Sequence, residues 1–194
     1  MKYTWLYYTS KVEEQIVDKI VEKSLKEDLI DGTINLVTED SKNIVGVDKS
    51  IRNTKIAFLD RMKHPDIYNL IYNLGLEVNN KAYGFDLNNL ETCQFTLYDS
   101  KNKGKYDWHI DTDWISDNCY HRKVSVVLQL SDPSEYEGGK LEIRNSGCTE
   151  QDKINMMQKG SVITFPSFME HRVTPVTKGK RLSLIGWMLG AKFR

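Results

Sequence analysis

From about residue 81 the chain becomes a series of short β-prone runs: ETCQFTLYDS, HRKVSVVLQL, GGKLEIRN, GSVITFPS and GKRLSLIGWML. Each is rich in β-branched and aromatic residues. The turns between them, NKGK, SDPSEYEGG, NSG, QKG and VTKGK, carry the Gly, Pro, Asp and Asn that reverse a backbone. Many strands at regular turn spacing build a sandwich or jelly roll. Before this point the period is helical. Val12, Ile16, Val17, Ile20, Val21 and Leu25 recur at three- and four-residue spacings and predict a helix over 11–28. Ser10 reads as its N-cap, with Glu13 completing a capping box. A second helix is expected over 66–78, with Ile67, Leu70, Ile71, Leu74 and Val78 as its stripe and Pro65 and Asp66 in its first turn. Residues 33–38 and 51–59 add two earlier strands. The expected fold class is α+β: a jelly-roll core braced by N-terminal helices.

The length of 194 residues suits one domain, with helical support over about 1–80 and the β core over about 81–194. No repeat, low-complexity tract or linker interrupts it. Lys and Arg number 27 and Asp and Glu number 27, so bulk charge gives no case for nucleic acid or an anionic membrane. Lys101, Lys103 and Lys105 cluster before the motif described next and read as a solvated loop. Cys93, Cys119 and Cys148 are odd in number and include no CxxC pair, which argues against a disulfide framework or a cysteine zinc site and fits a reducing compartment. The N-terminus MKYTWLYYTSKVEE lacks the apolar core of a signal peptide. The expectation is a soluble, cytoplasmic protein without a membrane span.

Residues 106–114, YDWHIDTDW, place His109 and Asp111 two apart. On a strand that spacing puts both side chains on one face. His171 follows in GSVITFPSFMEHRVTPV, at a turn after the strand that ends Phe165-Pro166. Two histidines and one carboxylate on a β scaffold form the facial triad of non-haem iron(II) oxygenases, which leaves three coordination positions open. Asp113 shares the parity of the pair but is surplus to the triad, and reads as a loop residue or an acceptor behind a metal histidine. His64 and His121 read as structural or surface residues. Arg181 stands ten residues after His171, and on a strand it shares a face with Ser183, Ile185 and Trp187. Such a face suits a pocket that receives a carboxylate: the guanidinium offers a charged fork and Ser183 a hydroxyl donor. A zinc enzyme could use the same triad, but would give no reason for Arg181 and Ser183 at this offset.

Together these motifs resemble the iron(II)/2-oxoglutarate-dependent dioxygenases, and more narrowly their prolyl 4-hydroxylase-like branch. The resemblance covers about residues 51–194, through IRNTKIAFL, FDLNNLETCQFTLYD, YDWHIDTDW, KVSVVLQLSDPSEYEGGKLEI and FPSFMEHRVTPVTKGKRLSLIGW. It implies a double-stranded β-helix, iron held by His109, Asp111 and His171, and Arg181 on the distal carboxylate of 2-oxoglutarate. It also implies Tyr98 and Trp187 as pocket residues facing the co-substrate. Some animal relatives carry a co-substrate-binding tyrosine on the strand containing VVLQL; Gln129 stands there in this chain. The implied cofactors are Fe(II), 2-oxoglutarate and O2, with ascorbate as a reductant, and the co-products are succinate and CO2. Halogenating relatives lack the carboxylate of the triad, so Asp111 points to hydroxylation.

The resemblance implies a prolyl residue in a peptide or protein as substrate. A free amino acid or other small molecule is the alternative substrate, and a non-catalytic jelly-roll binding module the alternative of a different class. The module has no need of His109, Asp111, His171 and Arg181 together. The neutral charge and the absence of an arginine-rich segment after His171 argue against nucleic-acid demethylation. Segments 99–105 and 114–122, which flank the metal strand, are the expected closing loops.

Overall fold

A computed structural model describes residues 1, 3–37, 43–114 and 118–194. In chain order its strands are β1 (Leu6–Tyr8), β2 (Ile30–Asp31), β3 (Ile34–Val37), β4 (Asn43–Gly46), β5 (Arg52–Asn53), β6 (Lys55–Phe58), β7 (Asn89–Leu90) and β8 (Gln94–Asp99). They continue with β9 (Lys105–His109), β10 (Tyr120–Gln129), β11 (Tyr136–Gly138), β12 (Leu141–Ile143), β13 (Val162–Pro166), β14 (His171–Val173) and β15 (Val176–Ala191). Three α-helices accompany them: α1 (Glu14–Ser24), α2 (Pro65–Val78) and α3 (Glu150–Met156).

Two facing sheets carry most of the strands, and β3 and β4 pair apart as a two-stranded sheet. The larger runs β1-β13-β10-β15-β8-β6-β2, with β7 and β11 also pairing to β15; the smaller runs β12-β14-β9-β5. Every pairing is antiparallel. The large sheet is covered on both faces, so β10 from Lys123 onward and all of β13 are buried. One face meets the helices: Ile67, Ile71, Leu74 and Val78 of α2 join Phe95, Val126, Leu128, Leu184 and Met188 in one core. That packing is close. A Cβ on Gly75 of α2 would stand 2.6 Å from the Met188 sulfur, and one on Gly186 of β15 would collide with Ile71. The other face, with Tyr98, Val127 and Phe165, packs against Leu141, Ile143 and Val173 of the small sheet. The expected jelly roll and the α2 stripe are both present.

Several local expectations need correction. Helix α1 spans fewer residues than 11–28, and the Ser10–Glu13 capping box does not form. Ser10 lies in the left-handed region at φ 47°, and its backbone N–H donates to Ser161 Oγ instead. A turn residue, not a cap, is what that position requires. Residues 51–59 form two strands in different sheets: β5 pairs with β9 and β6 with β8. Helix α3, inside the β region, has no counterpart in the periodicity reading; its start was written in Thr149 and Asp152, which form a reciprocal capping box. Strand β1 was missed because three residues carry too little alternation. Lys101 and Lys103 are exposed, as a solvated loop requires, whereas Lys105 is half-buried and opens β9. Residues 115–117 of the expected closing segment 114–122 lie outside the described residues. No helix among the described residues is long and apolar enough to cross a membrane.

Candidate metal and co-substrate site

His109 closes β9 and His171 opens β14, and the two residues are directly paired across the small sheet. Their ring centroids are 4.2 Å apart. Each Nδ1 donates to a backbone carbonyl two residues back, His109 to Asp107 at 2.7 Å and His171 to Met169 at 2.9 Å. Those bonds fix the tautomer and leave each Nε2 lone pair free for a metal. The strand ends at His109, so Asp111 does not reach the site by strand alternation. A bend carries it there. The backbone N–H groups of Asp111 and Thr112 both donate to the Ser167 carbonyl, at 2.8 and 3.0 Å. Ser125 Oγ, on β10, donates to Asp111 Oδ2 at 2.6 Å and lies 2.9 Å from Ser167 Oγ. Asp111 Oδ1 is then 3.8 Å from His109 Nε2, and Oδ2 is 3.6 Å from His171 Nε2.

The three ligand atoms all lie within 4.8 Å of one another. Burial, and then His171, pushes His109 well below the usual imidazole range, so it is neutral at neutral pH. Burial opposes ionisation of Asp111, but the attraction of His171, His109 and Arg122 outweighs it and holds the carboxyl below its usual range. Two imidazoles with Nε2 facing inward and one carboxylate, with the remaining directions open to a cavity, fit a divalent iron.

That cavity has a volume of about 360 Å³ and lies between the sheets. Arg181, Tyr98, Ser183, Ile185 and Trp187 line it, so the face predicted from β15 is real. Arg181 is 3% exposed and its guanidinium carbon sits 5.1 Å from the Tyr98 ring centre. Its Nη1 is buried without a hydrogen-bond partner among the described residues. An unanswered buried cation costs on the order of several kcal/mol, so the position calls for an anion. The Gln129 amide does not reach the cavity. It donates to Tyr136 Oη at 2.9 Å, behind Arg181. Asp113 and His121 also border the cavity, where His121 packs against Trp114 and accepts from the Phe193 N–H at 3.1 Å. His64 is buried against Glu27, 2.9 Å away.

Sequence reasoning missed the groups that hold and flank the ligands. Ser125 interrupts a valine run, KVSVV, which is its one visible signal. Tyr106 stacks on His109 with centroids 3.5 Å apart, and the Arg52 guanidinium carbon lies 4.5 Å from the centre of the Tyr106 ring. Burial pushes the Tyr106 hydroxyl up to about 12, so it stays protonated. Arg122 lies 3.9 Å above the Trp187 ring and meets Glu91 with two bonds, of 2.6 and 2.8 Å.

Comparison with known proteins agrees with this geometry. The profile of the 2OG-Fe(II) oxygenase superfamily matches residues 93–189, half of the chain. A PKHD-type hydroxylase of Teredinibacter turnerae is 31% identical over 140 residues, 68% of this chain and 61% of its own length. One from Gloeothece citriformis is 40% identical over 83 residues, 43% of this chain and 36% of its own. The match thus spans between about a third and three-fifths of those relatives. In fold, a prolyl-4-hydroxylase of Pseudomonas putida superposes with a TM-score of 0.69 at 22% identity, over 96% of this chain and 92% of that one. The viral collagen prolyl hydroxylase of Paramecium bursaria Chlorella virus-1 gives 0.70 at 17% identity, over 97% of each chain. The chain belongs to the 2OG-Fe(II) oxygenase superfamily.

Proposed function

We propose that the chain is an Fe(II)/2-oxoglutarate-dependent dioxygenase that hydroxylates an unactivated C–H bond of a prolyl residue in a peptide or protein. The observation that carries it is the meeting of His109, Asp111 and His171 in the same cavity as the unpartnered Nη1 of Arg181. The prolyl part draws on the names of the relatives and fold neighbours, which include PKHD-type hydroxylases and prolyl hydroxylases.

His109, Asp111 and His171 would hold the iron and Arg181 the far carboxylate of 2-oxoglutarate, with Ser183 as a further hydroxyl donor beside it. Bound iron with 2-oxoglutarate and O2 supplies the oxidising power for C–H hydroxylation, with succinate and CO2 as co-products. The chain's own residues position and protect. The Asp107 and Met169 carbonyls hold the imidazoles in the ligating tautomer, and Ser125 holds the carboxylate. Tyr98 covers the Arg181 guanidinium, and Val127, Ile185 and Trp187 give the cavity an apolar wall that excludes water.

The test is anaerobic titration with Fe(II) and 2-oxoglutarate, monitored for the iron-to-keto-acid charge-transfer band. The band is expected only when both are present, and is expected to vanish or shift in Asp111→Ala. Succinate release across a panel of proline peptides then reads the substrate. No band from a folded protein would overturn the cofactor assignment, and no peptide supporting succinate release above background would overturn the prolyl one.

A further inference from the structure

Three arginines line the cavity, and they differ in what answers their charge. Arg122 is matched by Glu91 through two hydrogen bonds. Arg181 is unmatched and, on the proposed reading, awaits the co-substrate. Arg52 is also unmatched. It is 6% exposed, and it donates from Nε to Thr54 Oγ1 at 3.1 Å and from Nη1 to the Thr33 carbonyl at 2.9 Å. Both acceptors are neutral, Nη2 is left without one, and no carboxylate lies within ion-pair distance among the described residues. The other acid on the cavity wall, Asp113, acts on His121.

The surroundings hold Arg52 in place. Its guanidinium stacks on Tyr106, which stacks in turn on the metal-side imidazole of His109. Gly32 makes room for it: a Cβ there would stand 2.7 Å from Nε. Arg52 belongs to the small sheet and Arg181 to the large one, so the two cations enter the cavity from facing walls.

The pairings say what is missing. A divalent metal, Asp111 and a 2-oxoglutarate dianion leave one negative charge, which Arg181 cancels. Glu91 cancels Arg122. Arg52 remains, and Asp113, the other acid on the wall, makes no ion pair with it among the described residues. A buried cation beside an open cavity, with every local acceptor neutral, is the arrangement of a carboxylate subsite. We infer that Arg52 binds a carboxylate of the substrate, carried near the carbon that is hydroxylated, so that the enzyme selects acidic over neutral substrates. This rests on the reading of the site as an Fe(II)/2-oxoglutarate centre. The carboxylate comes from an acidic side chain next to the target residue or from a free chain end.

The test uses the anaerobic Fe(II)- and 2-oxoglutarate-loaded protein and perturbation of its charge-transfer band. The probes are N-acetyl-Pro-Asp-amide and N-acetyl-Pro-Asn-amide for the side chain, and N-acetyl-proline and its amide for the chain end. One of the two acids is expected to perturb the band at concentrations about 30-fold or more below its amide counterpart, and which acid does so names the source. Arg52→Gln should erase that preference, while Arg52→Lys should keep part of it. An unaltered band in Arg52→Gln before probe is added shows that fold and co-substrate binding survive. Equal response to acids and amides, no response to either acid, or a preference that survives Arg52→Gln would overturn the inference. Loss of the band from the wild type itself would overturn the underlying reading instead.

Discussion

The two facing walls of the cavity build their functional groups in different ways. On the large sheet, Arg181, Ser183, Ile185 and Trp187 follow strict alternation along one long strand, so local geometry alone delivers them to the cavity. On the small sheet, the strand ends at His109, and Asp111 reaches its place through a bond from the Ser125 hydroxyl and one to the Ser167 carbonyl, residues that belong to the other sheet and to a turn. One wall is made by secondary structure and the other by tertiary hydrogen bonds. Damage to the first should therefore be local and chemical, while the second should fail through residues that never touch a ligand.

The largest effect tests the shared floor of both walls. His171→Ala removes one of three donors from a site that has no spare histidine within the cluster, and turnover should fall to background with Fe(II) binding lost. Full iron-dependent turnover would refute the triad. Next comes Arg181→Ala, the test of the strand-built wall. The KM for 2-oxoglutarate should rise about 30-fold or more, as expected for losing one partner of a buried ion pair. Fe(II) affinity, measured in the same protein without 2-oxoglutarate, should stay unchanged. A matching loss of iron affinity would mean the walls are not independent. Ser125→Ala tests the wall built by hydrogen bonds. It leaves every ligand in place but frees Asp111 Oδ2, and Fe(II) affinity should fall about tenfold. Threonine keeps the hydroxyl and should restore most of it; rescue by threonine separates a positioning role from a packing one.

The same contrast explains which parts were legible in the sequence. Strand identity along 160–191, the α2 stripe and the Arg181 face depend on period, and period is local. The grouping of His109, Asp111 and His171 was legible from residue type and spacing, yet the reason given for Asp111, strand parity, was not the one the fold uses. Ser125, Ser167, Arg52 and Glu91 were illegible because each acts through a residue far away in the chain. Gln129 shows the reverse. Its position matches that of a family tyrosine, but Tyr136, seven residues on, takes up its amide. A position in a motif fixes where a side chain starts, whereas its neighbours decide where it points.

The smallest effect concerns the Arg122–Glu91 pair, which belongs to the large-sheet wall. Its side chains are 30% and 28% exposed, so solvent screens the pair and its contribution is modest in spite of two good bonds. Glu91→Gln should cost about 1 kcal/mol in denaturant unfolding. The functional consequence is the sharper one. Glutamine leaves Arg122 over Trp187 but removes the charge that cancels it, so the cavity acquires a second uncommitted cation. If the acid preference assigned to Arg52 arises from uncancelled charge, Glu91→Gln should strengthen binding of the N-acetyl-Pro-Asp-amide probe, or leave it unchanged if the carboxylate sits out of reach of Arg122. Weaker binding of that acid would show that Glu91 itself contacts the substrate, and that the cavity reads a hydrogen-bond donor at this point.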